Sequence, residues 1–347
     1  MNALVYHGPE DLRLERRELP EPGRGEVLVR VEACGICGTD LRIFQGKHRA
    51  YADDACRVPG HEIVGTIAAV GEGAPGRDGD RVFIAPNIGC GRCRQCREGR
   101  VNLCVRPRAL GITRDGGFAD HLLVPADAVA QGNLLAAPRS LDAAALSLVE
   151  PLACVVHGQR PLAIGADDVV LIMGAGPIGL MHLAAGKVRE PAQIIVSEPA
   201  GDRRAQATAW GADLVVDPTS EDLAAIVAER TEDGRGPDVV ITAAPAARAQ
   251  SQAIELAAPA GRVNFFGGLP RDASIVEIDT NLIHYKELLV TGTTANAVED
   301  CREALQLVVD GAIDAQALVS ARFGLDEAAA AFAAAASGQA LKVVIEP

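Results

Sequence analysis

Aromatic side chains are scarce in this chain of 347 residues: one Trp, three Tyr and seven Phe, 3 % of the total. So few rings leave little to stack on bases or flat ligands, which favours a polar substrate over an aromatic one. Positive charge is the minority sign. Lys and Arg number 33 against 46 Asp and Glu, a net charge of −13 at pH 7. A chain of that sign repels phosphate backbones and anionic lipid, so neither nucleic acid nor a membrane is expected as a partner. No apolar run approaches the roughly 20 residues that a membrane-spanning helix needs. The opening MNALVYHGPEDLRLERRELP has no basic stretch leading into an apolar one, as a secretory signal would. The nine cysteines therefore read as thiols of a reducing cytoplasm, used for metal or packing.

Hydrophobic residues make up 48 % of the chain, enough for two domains with cores of their own. The first 150 residues carry short alternating runs, such as residues 26–31 and 63–70, broken by Gly71-Glu72-Gly73 and Arg77-Asp78-Gly79-Asp80. They predict a mainly antiparallel β domain. From residue 168 the pattern changes to apolar runs at 169–173, 194–196, 214–216, 239–241, 263–266 and 288–290, separated by Ala-rich stretches. That alternation predicts a Rossmann doubly wound parallel sheet, an α/β architecture. Helices are expected at 300–310 and 326–337, and a last strand, 341–345, should return to the first domain. The expected division is 1–155 with 295–347, and 156–294.

Cys90, Cys93, Cys96 and Cys104 follow the spacing C-x2-C-x2-C-x7-C. Four thiolates on one short loop can close a tetrahedral zinc site completely, which predicts a structural zinc. Iron–sulfur runs continue with a shorter gap and a proline, so that alternative fits poorly. A second motif is Gly174-Ala175-Gly176-Pro177-Ile178-Gly179, placed directly after the strand 169–173, with Glu198 closing the next strand. Gly174 allows a tight turn, Gly176 lets a pyrophosphate approach, and Gly179 lets helix and strand pack closely; Pro177 and Ile178 open the helix. Glu198 should bind the adenosine ribose hydroxyls and repel a 2′-phosphate, favouring NAD over NADP. Arg203, close behind, leaves NADP open.

A further ligand set is dispersed: Cys37, His61, Glu62 and Glu150. A thiolate, an imidazole and a carboxylate can hold zinc and leave one position open. The blocks Gly35-Ile36-Cys37-Gly38-Thr39-Asp40, Gly60-His61-Glu62, the four-cysteine loop, Glu150-Pro151-Leu152-Ala153 and Gly174 to Gly179 together resemble the zinc-dependent medium-chain alcohol dehydrogenases over nearly the whole chain. The acid at Glu150, where typical alcohol dehydrogenases have cysteine, places the resemblance in the polyol branch (sorbitol, butanediol and threonine dehydrogenases). The resemblance implies a GroES-like catalytic domain and two zinc ions per subunit. It also implies that Cys37, His61 and either Glu62 or Glu150 ligate the catalytic zinc, the other acid binding through water or exchanging with it. Thr39 would hydrogen-bond the alcohol oxygen and start the proton's exit. Lys342 would face the cofactor.

One departure from that pattern concerns the proton. Where relatives carry a relay histidine this chain has Arg42, which stays protonated. Water or His48 would have to carry the proton out. The substrate pocket is expected at the catalytic zinc between the domains, lined by Thr39, Phe118 and Lys47-His48-Arg49, the basic segment meeting an anionic substrate group or solvent. The expected reaction is reversible, zinc-dependent and NAD-linked: a secondary alcohol of a polyol, sugar or cyclitol becomes a ketone. A threonine or diol dehydrogenase, and a non-redox epimerase with tightly held NAD, are the alternatives. A homodimer or homotetramer is expected from the resemblance.

Overall fold

Buried aliphatic runs between residues 169 and 292 assemble into one parallel sheet. In the computed structural model, which describes residues 1–51, 55–270 and 273–347, its strands are Val169–Met173, Gln193–Ser197, Leu214–Val216, Val239–Thr242, Arg262–Phe265 and Leu289–Gly292. They lie in the order third, second, first, fourth, fifth, sixth. Val170, Leu171 and Ile172 are all fully buried in succession, so both faces of the sheet are covered. This is why the strands read as continuous apolar runs rather than alternating ones. The order reverses beside the first strand, the place where open α/β sheets bind ligands. The glycine motif leaves that strand and opens the helix Pro177–Lys187. This unit spans Cys154–Thr294.

The other unit is formed by Met1–Ala153 and Ala295–Pro347. Its main sheet runs Val319–Phe323, Lys342–Ile345, Val27–Gly35, Glu62–Val70, Arg81–Ile84, Leu134–Ala136, with His121–Val124 also paired to Val27–Gly35. The pairings are antiparallel except for Val319–Phe323 with Lys342–Ile345. Two registers place the chemistry. Gly35 stands opposite Glu62, and Val344 stands opposite Gly35 on its other side. The strand that begins at Val27 thus runs past residue 31 to Gly35, and its end carries the last strand on one flank and Glu62 on the other. The helix Gly38–Phe44 follows, with Cys37 as its N-cap. The four-cysteine loop is closed at its base by the paired strands Asn87–Ile88 and Arg108–Ala109.

Phe118 is fully buried in the core of this unit, with its ring 5.9 Å from that of Phe332. It packs the core and lines no open pocket, contrary to the sequence expectation. Its ring lies beside Gly60 and shares one core with Cys34 and Ile63. Among the described residues no helix is long and apolar enough to cross a membrane.

Candidate active site and metal centres

The four sulfurs of Cys90, Cys93, Cys96 and Cys104 lie within 4.8 Å of one another. The separations Cys93–Cys96, Cys93–Cys104 and Cys90–Cys96 are 3.4, 3.9 and 4.0 Å. Tetrahedral zinc with Zn–S near 2.3 Å requires sulfurs about 3.8 Å apart, so the cluster fits that ion. Cys104 Sγ accepts from the Cys90 and Arg106 N–H groups at 3.2 and 3.3 Å. Backbone N–H groups of Cys96 and Val105 pull the Cys93 thiol down to about 6, so a ligating thiolate is available at neutral pH.

The second cluster is Cys37, His61 and Glu62, whose donor atoms also lie within 4.8 Å of one another. Each is placed by local structure. Asp40, buried in the first helical turn, accepts the Cys37 N–H at 2.9 Å and the Gly60 N–H at 3.2 Å. Its Oδ1 also stands 3.5 Å from His61 Nδ1. Nδ1 makes no hydrogen bond, but with that nitrogen beside the Asp40 carboxylate, Nε2 is the one left to ligate a metal, the division an outer carboxylate imposes on a metal-bound histidine. Glu62 is fully buried; Oε1 accepts from Lys342 Nζ at 2.6 Å, while Oε2 has no hydrogen-bond partner. An orphaned, buried carboxylate oxygen beside a thiol and an imidazole is what a divalent cation would satisfy, so the donor set fits zinc. Burial works against a charge on His61, yet Asp40 and the Cys37 sulfur outweigh it and hold the imidazole well above its ordinary value. Metal binding there must displace that proton, so affinity should rise with pH.

Glu150 lies outside this group of three. It sits in the first turn of the helix Val149–Gln159, and its Oε1 accepts from Asn296 Nδ2 at 2.7 Å. Burial pushes its carboxyl above the ordinary range; His61 opposes the shift, Glu62 adds to it and the Asn296 bond opposes it.

In the other unit, Gly174 has φ +110°, which L side chains rarely adopt, and a Cβ on Gly179 would meet the Gly174 carbonyl oxygen at 1.9 Å. A Cβ on Gly176 would meet nothing closer than Arg203 Nη1 at 3.7 Å. The turn is closed where helix and strand pack and open where a pyrophosphate would lie, so it fits a dinucleotide. Glu198 is 3 % exposed and accepts the N–H groups of Ala175 at 2.7 Å and Ala200 at 2.9 Å, which fixes its carboxylate at the turn.

Two family models match: the alcohol dehydrogenase GroES-like domain over residues 23–134 and the zinc-binding dehydrogenase over residues 177–310. An L-threonine 3-dehydrogenase of Pyrococcus abyssi is 35% identical, covering 94% of this chain and 92% of its own length. The chain belongs to the zinc-dependent medium-chain alcohol dehydrogenases, in their polyol branch. A sorbitol dehydrogenase of Halalkalibacterium halodurans is 31% identical over 100% of this chain and 99% of its own. The crystal structure of a zinc-binding dehydrogenase from Sinorhizobium meliloti bound to NADP matches with TM-score 0.91 and 36% identity, covering 100% of this chain and 99% of that one. The dehydrogenase is thus an oxidoreductase acting on CH–OH groups with zinc and a nicotinamide cofactor.

The remaining expected residues of the dehydrogenase are placed as follows. Thr39 Oγ1 accepts from Arg42 Nη2 at 3.0 Å. A guanidinium only donates, so this bond leaves the threonine's own hydrogen to point elsewhere. Arg42 therefore aligns the hydroxyl it cannot relieve of a proton. His48 Nδ1 accepts the Ala50 N–H at 3.2 Å, which puts the neutral ring's proton on Nε2. Burial, then Arg42 and Arg49, hold the imidazole below its ordinary value. Lys342 Nζ is engaged inside the catalytic unit, on Glu62 and on the Ile36 carbonyl at 2.9 Å. Burial opposes its charge, but Glu62 and Cys37 keep the ammonium above its ordinary value. Asp40 and Asn296 carry roles that the sequence reading does not assign. For Asp40 a signal exists, an acid three residues after Cys37 at a helix start; for Asn296 none does, since its partner is 146 residues away.

Proposed function

We propose that the dehydrogenase oxidises a secondary alcohol of a polyol, sugar or cyclitol, with NAD as the preferred acceptor. The observation that carries this is the Cys37–His61–Glu62 donor set, with half-buried Cys37, buried His61 and Glu62, and the orphaned Glu62 Oε2. Bound there, zinc would supply Lewis acidity to the substrate hydroxyl, and a nicotinamide would supply the hydride acceptor. The chain's own residues do the rest. Cys37, His61 and Glu62 hold the ion, Asp40 orients His61, and Lys342 balances the Glu62 charge. Thr39 Oγ is the atom that first holds the substrate proton, kept in line by Arg42, and neutral His48 or water carries the proton onward.

The NAD preference rests on Glu198, whose fixed carboxylate would repel a 2′-phosphate. Glu198→Gln should raise the KM for NAD and lower that for NADP. A threonine or diol substrate is a second reading, favoured by the threonine dehydrogenase relative and by the cations Lys47 and Arg49, which have no ion pair among the described residues. We further propose a homodimer or homotetramer, assembled through the half-exposed edge strand Leu289–Gly292, working in the cytoplasm.

The test is formation of reduced nicotinamide, followed by absorbance, with polyols, inositols, aldoses, diols and threonine, each with NAD and NADP. Turnover of polyols or cyclitols supports the first reading, and turnover of threonine alone the second. Copurified cofactor with no net reduction of it by any secondary alcohol would point to an epimerase instead.

A further inference from the structure

Asn296 is fully buried, and both ends of its amide are held. Nδ2 donates to Glu150 Oε1 at 2.7 Å and to the Glu150 main-chain carbonyl at 3.2 Å. Oδ1 accepts from Asn87 Nδ2 at 3.0 Å and from the Cys301 thiol at 3.4 Å. Asn87 Nδ2 also donates to the Asn296 main-chain carbonyl at 3.0 Å. Two donors face the oxygen and two acceptors face the nitrogen, so only one orientation of the amide is tolerated. Turned by half a revolution, its oxygen would face a carboxylate and a carbonyl. One residue thus grips Glu150 by side chain and backbone together.

The consequence concerns the choice between two acids. Glu62 and Glu150 are both buried, and the charges of Glu62 and His61 reach Glu150. Only Glu62 joins Cys37 and His61 in the close group, and only Glu62 presents a buried oxygen with no hydrogen-bond partner. We propose that Asn296 is a positioning residue that holds Glu150 out of the metal's coordination shell. Glu62 is then the carboxylate ligand, and a fourth position stays open for substrate. The inference rests on the reading of Cys37, His61 and Glu62 as zinc ligands.

The experiment compares wild type, Asn296→Ala, Asn296→Ala/Glu150→Gln and Asn87→Ala in full-length protein. Two readouts are taken: visible absorption after replacement of zinc by cobalt, and the rate of zinc release to a chelator. The four-thiolate site contributes equally in all variants, so difference spectra isolate the second site. In Asn296→Ala, Glu150, no longer gripped by that amide, enters the shell. The cobalt bands shift, and release of the second zinc slows by roughly tenfold, within the range by which outer partners tune metal affinity. The double variant returns both readouts to the wild-type pattern, because the change needs the Glu150 carboxylate. Asn87→Ala, which only unfastens the amide oxygen, moves them the same way by less; it decides the matter if Asn296→Ala fails to fold. Unchanged bands, faster release, or a shift that persists in the double variant would overturn the proposal while leaving the zinc reading standing. A wild type that binds cobalt at the four-cysteine site alone would instead bring down the zinc reading itself.

Discussion

Gly35 sets the room available to Glu62, and Gly35→Ala measures how much that room matters. The two residues face each other across antiparallel strands, and a Cβ on Gly35 would lie 2.0 Å from Glu62 Oε2 and 3.1 Å from Cδ. Ordinary contact begins at 3.4 Å, so the oxygen must retreat by about 1.4 Å. A metal–ligand bond tolerates a deviation of about 0.2 Å, so a carboxylate moved that far no longer coordinates. The added methyl should also cost about 1–3 kcal/mol of stability, as other overpacked cores do. Gly38→Ala is the matched control. It lies next to Cys37 in the same segment, but a Cβ there meets nothing within 4 Å. It should leave stability unchanged or raise it by up to about 1 kcal/mol, since Ala is the better helix former. Elemental analysis with thermal unfolding is the assay: Gly35→Ala falls from two zinc ions per subunit to one and melts lower, while Gly38→Ala keeps both ions. A Gly35→Ala protein with two tightly held zinc ions would refute the placement of Glu62 as a ligand.

The two metal sites should fail differently. Cys96→Ser lowers the melting temperature or disrupts assembly, whereas Cys37→Ser abolishes turnover in a folded protein with an unchanged circular dichroism spectrum; equal loss of folding in both would contradict this division. His48→Ala should lower the rate more at acidic than at alkaline pH. Its depressed pKa keeps the ring neutral and able to accept a proton below its ordinary value, while base in solution takes over at high pH; a mutant to wild-type ratio that is flat across pH removes His48 from the proton path. His182 is fully buried, and burial depresses its pKa to about 3. The unfolded chain protonates below about 6.5 and the native one does not, so stability declines as pH falls from there toward 3, at up to about 1.4 kcal/mol per pH unit. Urea unfolding at pH 7 and pH 5 should show a smaller difference for His182→Leu than for wild type, and an identical difference would show that other groups set the acid limb.

Much of the fold can be read in the residues because its signals are local. The apolar runs after residue 168 mark buried parallel strands, and the glycine spacing fits its turn because φ at Gly174 and the approach at Gly179 admit no side chain. Element ends are less legible. The strand that reads as residues 26–31 continues to Gly35, because its last pairings are with Glu62 and Val344, far away in the chain. Phe118, expected from the sequence at the substrate pocket, packs against Phe332, more than two hundred positions on. Arg42 reads as a missing relay; its bond to Thr39 emerges only from helical geometry.

The sequence by itself determines the four-cysteine centre, since four ligands on one short loop need no distant partner to converge. It likewise determines the dinucleotide turn, whose strand, glycines, helix and acid are consecutive. Which acid stands with Cys37 and His61 is decided only by tertiary structure. Glu62 and Glu150 are chemically identical side chains. The strand register sets Glu62 against Gly35 with one oxygen on Lys342 and the other unpartnered, while Asn296 takes hold of Glu150. Contacts spanning 280 and 146 residues make that distinction, and no local pattern encodes them.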